Sequence, residues 1–255
     1  MLGFDVPMNA VPISPRLLAM PALAVLAGVA AAFDTVVIDP GHGGNDEGTE
    51  WRRVSEKELT LSVAQRLEEI LRGKGIHAVL TRHCDSFIGL DERAAMADLF
   101  PNSLLLSIHF NGSRMSDIKG FEIFSFRESP SSRCIAASIQ EAMVERRVGR
   151  NRGLLSNQDY AVLARPAGCA VLVECGFISN KTEAARLSSP EGRQQIAEAL
   201  ALGVMRAKPV INFDPPGCEI AKCEIYARKF DEAERQAAKK VAASNGWSKK
   251  KPKSS

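Results

Sequence analysis

The sequence predicts an α/β fold: a single domain with a mostly parallel sheet flanked by helices, preceded by a signal peptide and followed by a basic tail. Three observations carry that reading. Short continuous apolar runs, VVI at 36–38, LLLSI at 104–108 and AVLV at 170–173, read as buried strands. Stretches with helical apolar spacing separate them, the pattern of a parallel sheet with crossover helices. Each run also ends in residues that can do chemistry: Asp39-Pro40-Gly41-His42, then His109, then Glu174. In open α/β sheets ligands gather beyond the carboxyl ends of strands, so these ends mark one candidate rim.

In chain order, residues 17–32 come first, a sixteen-residue uncharged apolar block ending in Ala30-Ala31-Ala32. It has the length and the small-residue end of an export signal cleaved after Ala32, although Arg16 is the only basic residue before it. An uncleaved anchor or a buried N-terminal helix are the alternatives, and no later segment could span a membrane. The chain is therefore expected in the periplasm or elsewhere in the cell envelope. In the stretch 35–48, TVVIDPGHGGNDEG, Asp39-Pro40 stops the first strand. Glycines on both sides of His42 are expected to let the backbone turn at φ > 0 and leave the imidazole uncovered.

A helix opens at Ser55-Glu56. Ser55 and Glu58 suit a capping box, which puts Glu56 at the first helical position, and Leu59, Val63, Leu67, Ile70 and Leu71 mark one apolar face. Gly73 and Gly75 end it. Residues 76–81 read as a strand, 91–100 as a short helix carrying Arg93, 120–126 as a strand and 132–148 as a helix. Residues 150–166 read as a polar connection with one apolar patch at 161–163. Asn180 and Glu183 suggest a further cap, and Ser189-Pro190 starts a terminal helix to 207. The division expected is 1–32 signal peptide, 33–208 catalytic domain, and 209–255 linker, charged helix and disordered basic end.

Composition narrows the function. Hydrophobic content of 45% and charge of 25% are ordinary for a globular chain. Net charge is +3, but residues 228–255 hold nine Lys/Arg against three Asp/Glu, a local +6, leaving −3 for the rest. Only the tail suits a polyanion such as an anionic envelope surface, and no nucleic acid partner is expected. Six cysteines permit disulfides after export, with the pairing open; the absence of CxxC excludes a zinc ribbon or thioredoxin-type motif. Neither GxGxxG nor GxxxxGK[ST] occurs, so the Gly41–Gly44 loop is no nucleotide cradle.

His42, Glu56 and His109 supply two imidazoles and a carboxylate, each at a strand end or helix start on one rim. That set suits Zn²⁺ with an open fourth position. The plain alternatives are a helix-capping charge for Glu56 and a carbonyl-bonded core imidazole for His109. Glu174, directly after AVLV, is a candidate general base; its alternative is an ion pair with Arg82 or Arg165.

VVIDPGHGGNDEG, SEKELTL, LTR, LLLSIHFNG and VLVECGFISN together resemble the zinc-dependent N-acetylmuramoyl-L-alanine amidases of the bacterial cell wall, in order and at nearly their spacing, over about residues 34–207. The resemblance implies an α/β amidase fold, zinc held by His42, Glu56 and His109, and Glu174 as the catalytic glutamate. It implies cleavage of the bond between the lactyl group of N-acetylmuramic acid and the first L-alanine of the stem peptide in peptidoglycan, and the expected setting is wall remodelling or daughter-cell separation, with the chain a monomer. Two departures stand out. TEWRRV at 49–54 is bulkier and more basic than the family's glycine-rich stretch, and Phe110 replaces a smaller residue, predicting a narrower cleft. Some relatives insert an inhibitory helix between the second zinc histidine and the catalytic glutamate. Here residues 110–173 hold one strand, one helix and a connection, so basal activity is expected.

Other hydrolases could use the same ligands; a non-catalytic wall-binding module would require the loss of a ligand or of the strand-end glutamate, and none is missing. Ser116-Asp117-Ile118-Lys119 has the SxxK spacing of penicillin-binding serine enzymes, but it precedes a strand and lacks their further motifs.

Overall fold

The computed structural model describes residues 33–211 apart from 127 and 158. The stretch expected to be an export signal and the basic tail lie outside the described residues, as do Cys218 and Cys223.

The elements are β1 (Thr35–Pro40), a hairpin of β2 (Glu50–Trp51) and β3 (Val54–Ser55), α1 (Glu56–Gly73), β4 (His77–Leu80), α2 (Leu90–Asp98), β5 (Ser103–Asn111), β6 (Phe121–Ser125), α3 (Pro130–Glu145), β7 (Asn151–Ser156), α4 (Ala161–Ala164), β8 (Cys169–Phe177), α5 (Lys181–Ser188) and α6 (Pro190–Ile211). One six-stranded sheet runs β4-β1-β5-β8-β6-β7. The first four strands are parallel; β6 runs against β8, and β7 lies parallel to β6. The sheet is thus mixed but mostly parallel.

Alternation along the strands assigns two faces. Val36, Ile38, Leu104, Leu106, Ile108, Phe110, Val171 and Val173 join the main core with the buried faces of α1, α3 and α6. Val37, Leu105, Ala170 and Leu172 point the other way, into a smaller cluster that includes Ala97 of α2 and Val162 and Leu163 of α4. Each fully buried Leu or Ile contributes about 1.5–3 kcal/mol over an exposed one, so the face under α1, α3 and α6 holds most of the stability. The thin second face leaves room at the carboxyl ends of β1, β5 and β8.

Local chemistry sets the helix starts. Ser129 Oγ accepts from Ser132 N–H with Pro130 at the first turn of α3, and Asn180 Oδ1 accepts from Thr182 and Glu183 N–H at α5. At α1 the expected capping box does not form. Ser55 occupies the N-cap position without a side-chain cap bond, and Glu58 is exposed. The expected Asn180–Glu183 cap thus forms through the Glu183 N–H, while the Glu183 carboxylate accepts from Gly120 and Phe177 N–H, tying the loop before β6 to the end of β8.

Residues 150–166 are more ordered than expected, containing β7 and the one-turn α4. β7 lies at the sheet edge, buries Leu154 alone and contains a glycine, so no period-2 pattern announces it. β5 and β8 run on past the apolar stretches because each gives the other a ladder, pairing His109 with Glu174 and Asn111 with Phe177. The four described cysteines, Cys84, Cys134, Cys169 and Cys175, carry free thiols. Among the described residues no helix is long and apolar enough to cross a membrane.

Candidate metal centre and cleft

At the end of β1, buried Asp39 accepts from Thr81 Oγ1 and Arg93 Nη1, both at 2.7 Å, and from Ser107 Oγ at 2.8 Å. Arg93 also donates to the carbonyls of Pro40 and His42, each at 2.8 Å. Arg82 donates to the carbonyls of Pro40 at 3.0 Å and Gly41 at 2.9 Å. Two buried guanidiniums therefore hold three successive carbonyls while the chain turns. His42 itself adopts φ 63°, a left-handed conformation uncommon outside glycine. Positive φ thus falls on His42 as well as on Gly43 and Gly44, whereas Gly41 supplies space. A Cβ at Gly41 would lie 2.2 Å from the His109 ring.

Three predicted ligands converge. His42 Nε2 and His109 Nδ1 each lie 3.1 Å from Glu56 Oε1, and one ligand atom from each residue falls within 4.8 Å of the others. Glu56, first residue of α1, is held by the N–H groups of Thr49 (2.7 Å, to Oε2) and Phe110 (2.9 Å, to Oε1). His42 Nδ1 is 2.9 Å from Asp46 Oδ2, which orients the ring from behind. Burial works against the His42 charge, but the hydrogen bond and charge of Glu56, with Asp46, overcome it and raise its pKa to about 8. His109 is raised for the same reason, Glu56 and Glu174 outweighing burial. Burial pushes the Glu56 carboxyl up, yet the two imidazoles pull it well below the usual range. In the metal-free protein two imidazoles therefore keep protons directed at one carboxylate. A divalent cation can replace them, and the two-nitrogen, one-oxygen donor set fits such an ion.

Glu174 pairs in register with His109 and faces the same cleft. Its Oε2 is buried and has no hydrogen-bond partner among the described residues. Burial, reinforced by the negative charges of Glu56 and Glu122 and opposed by the two histidines, raises its carboxyl to about 7. Neither arginine considered for it is its partner. Arg82 is taken up with carbonyls, and Arg165 pairs with Asp91.

The cleft, about 460 Å³, is walled on the α2/α4 side by Phe87, Ile88, Leu90, Tyr160 and Val162. Phe110 borders it but belongs to the main core at 1% exposure, so its ring does not fill the opening as the narrower-cleft expectation required. The bulky 49–54 stretch forms the β2–β3 hairpin, rooted on Glu56 by Thr49 N–H at one end and by Glu56 N–H to the Thr49 carbonyl. Ser116 sits in an exposed loop, not at a helix start, with Asn180 Nδ2 on its carbonyl. Sequence reasoning did not assign Asp46, Glu122 or the Asp39–Arg93 pair to the site. Only the acid closing the VVI run, inside a buried strand, signals the last.

Residues 36–206 match the family described as N-acetylmuramoyl-L-alanine amidase. The probable cell wall amidase LytH of Staphylococcus epidermidis is 33% identical over 173 residues, covering 67% of this chain and 57% of LytH. The N-acetylmuramoyl-L-alanine amidase LytC of Bacillus subtilis is 32% identical over 174 residues, covering 68% of this chain and 35% of LytC. A crystal structure of an N-acetylmuramoyl-L-alanine amidase from Clostridium difficile is 33% identical with a TM-score of 0.65, covering 69% of this chain and 96% of that one. The chain thus spans about half of LytH and a third of LytC, but nearly all of the Clostridium difficile chain.

Proposed function

The chain belongs to the N-acetylmuramoyl-L-alanine amidase family, and from that premise we infer that it is a zinc enzyme that cleaves peptidoglycan between the lactyl group of N-acetylmuramic acid and the first L-alanine, releasing stem peptides. The observation that carries this reading is the pairing of a three-ligand cluster with a buried, unpartnered carboxyl oxygen on the next strand. His42, Glu56 and His109 would hold zinc, which supplies Lewis acidity toward the amide carbonyl and toward water.

The chain's own groups do the rest. Glu174 Oε2, buried, unpartnered among the described residues and facing the cleft, takes the proton of the attacking water and passes it to the leaving nitrogen. Asp46 fixes the His42 ring, and the backbone N–H groups of Thr49 and Phe110 fix Glu56. Phe87, Ile88, Leu90, Tyr160 and Val162 give one side of the cleft an apolar surface for the substrate to lie against.

In this reading residues 1–32 direct export, 33–208 form the catalytic domain, and 209–255 form a linker and basic segment that adheres to anionic envelope surfaces. The enzyme works as a monomer in the periplasm or at the wall, in remodelling or daughter-cell separation. Basal activity without an activator is part of this reading. The test is digestion of purified peptidoglycan by the protein alone, with and without a chelator, with products identified by mass spectrometry. Chelator-sensitive release of intact stem peptides is expected. Cuts within the glycan or the peptide, or silence after zinc is restored, would refute the reading.

A further inference from the structure

β7 is bulged where it meets the site. Phe121 pairs with Asn151 and Ile123 with Leu154, so Arg152 and Gly153 together oppose Glu122 alone. Gly153 takes φ 126°, which favours glycine, and the extra residue turns Arg152 onto the Glu122 side of the sheet. There Arg152 Nε donates to Glu122 Oε1 at 2.7 Å, and its guanidinium lies 5.1 Å from the centre of the Phe177 ring. Glu122 pairs in register with Glu174, and its other oxygen accepts from Asn111 Nδ2 at 3.1 Å. In sheet order β5, β8, β6, β7, the rim therefore reads His109, Glu174, Glu122, Arg152.

The Arg152 side chain is 28% exposed, and Nε is the only one of its nitrogens with a hydrogen bond among the described residues. The terminal fork stays available, in the geometry that grips a carboxylate with two parallel bonds. Lys119 and Arg150 flank the same turn, where Phe121 N–H donates to the Arg150 carbonyl at 2.9 Å. Both are exposed and make no ion pair among the described residues. Residues 146–152 carry four arginines and no acid; the loop 112–120 adds Arg114 and Lys119 against Asp117.

Resting on the amidase reading above, direction follows from the proton. Glu174 delivers it to the leaving nitrogen, so the leaving peptide begins over β8. The metal ligands fill the β1/β5 side, and the peptide runs toward β6 and β7. Two strand spacings of ~4.8 Å put β7 about 10 Å away, a span of about three extended residues. We propose that Arg152, with Arg150 and Lys119 beside it, forms a subsite for a free carboxylate carried two to three residues beyond the scissile amide.

The test uses zinc-loaded full-length protein and two synthetic N-acetylmuramoyl tripeptides, both amidated at the C-terminus and identical except that the second residue bears a free carboxylate or its carboxamide. Wild type should show about a 10-fold lower KM for the carboxylate form, as a charge-assisted bond warrants. Arg152→Lys keeps a cation for Glu122 but loses the fork, and the surface pair Lys119→Ala/Arg150→Ala removes the flanking charge. Both should raise KM for the carboxylate substrate and bring the preference close to one. Equal KM values in wild type, or a preference that survives in both variants, would overturn the subsite and leave the amidase reading standing. Failure of wild type to cleave either substrate would overturn the amidase reading and the subsite with it.

Discussion

Glu174→Gln separates a proton shuttle from a structural carboxylate. In the metal-free protein the Glu174 carboxyl rises from 4.5 to about 7, because burial and the charges of Glu56 and Glu122 disfavour its ionised form. An acid raised in the fold weakens stability as pH climbs above its unfolded value of 4.5, and the cost is complete above about 7. At pH 8 that cost is on the order of 3 kcal/mol as an upper bound, and glutamine does not bear it. The chelator-treated variant should therefore melt higher than wild type at pH 8 and at the same temperature at pH 4. Catalysis should move the opposite way. Loss of a positioned base lowers turnover by about 10²–10⁴-fold, or roughly 3–5 kcal/mol of barrier. Zinc, read by elemental analysis, should stay bound through His42, Glu56 and His109. The assay pairs melting curves at the two pH values with stem-peptide release from peptidoglycan. A variant that is less stable at pH 8, or that cleaves at close to wild-type rate, would refute the reasoning.

His42→Ala should lose metal and activity together, measured by zinc content and turnover, since one of three protein ligands is gone. Zinc affinity, measured by competition with a chelator dye, should weaken as pH falls through about 8, because His42 then holds a proton that the ion must displace; a flat profile from pH 6 to 9 would contradict it. Arg93→Met breaks an ion pair with Asp39 whose side chains are 3% and 1% exposed, and chemical denaturation should show a loss of about 3–5 kcal/mol. Truncation after Ile211, which spares α6, should abolish sedimentation with envelope fragments at low salt while turnover on soluble muropeptides persists.

The parts of the site legible in the sequence are those that terminate something. Asp39, His109 and Glu174 each interrupt or close an apolar run, and Glu56 opens a helix after Ser55, so residue type and position announce them together. The capping role expected of Glu58 was nevertheless wrong. No capping box forms, and Glu56 is selected because the first helical position faces the N–H groups of Thr49 and Phe110. What stayed hidden depends on contacts between distant segments. Arg93 reaches Asp39 across 54 positions, and Arg82 reaches Gly41 across 41; no local period encodes either distance. β7 was missed because an edge strand with one buried side chain and a bulge glycine carries no alternation. That miss also concealed Arg152, whose direction depends on the bulge alone.

The three proposed ligand side chains arrive from the turn after β1, the first residue of α1 and the end of β5, and each is placed through bonds or space at the backbone. His42 is set by two guanidiniums gripping the carbonyls at and before it. Two N–H groups set Glu56, and His109 has room because Gly41 lacks a Cβ. A left-handed histidine costs on the order of 1–3 kcal/mol, so it persists only where surroundings over-determine it, and the Arg82–Arg93 grip is that surrounding. The strain is therefore held by the fold before any ion arrives, and metal binding need not supply it. It follows that damage to these supports should appear first as weakened metal retention. Damage at Glu174 should appear as slow chemistry in a protein that keeps its metal, because Glu174 stands on a strand that the grip does not touch.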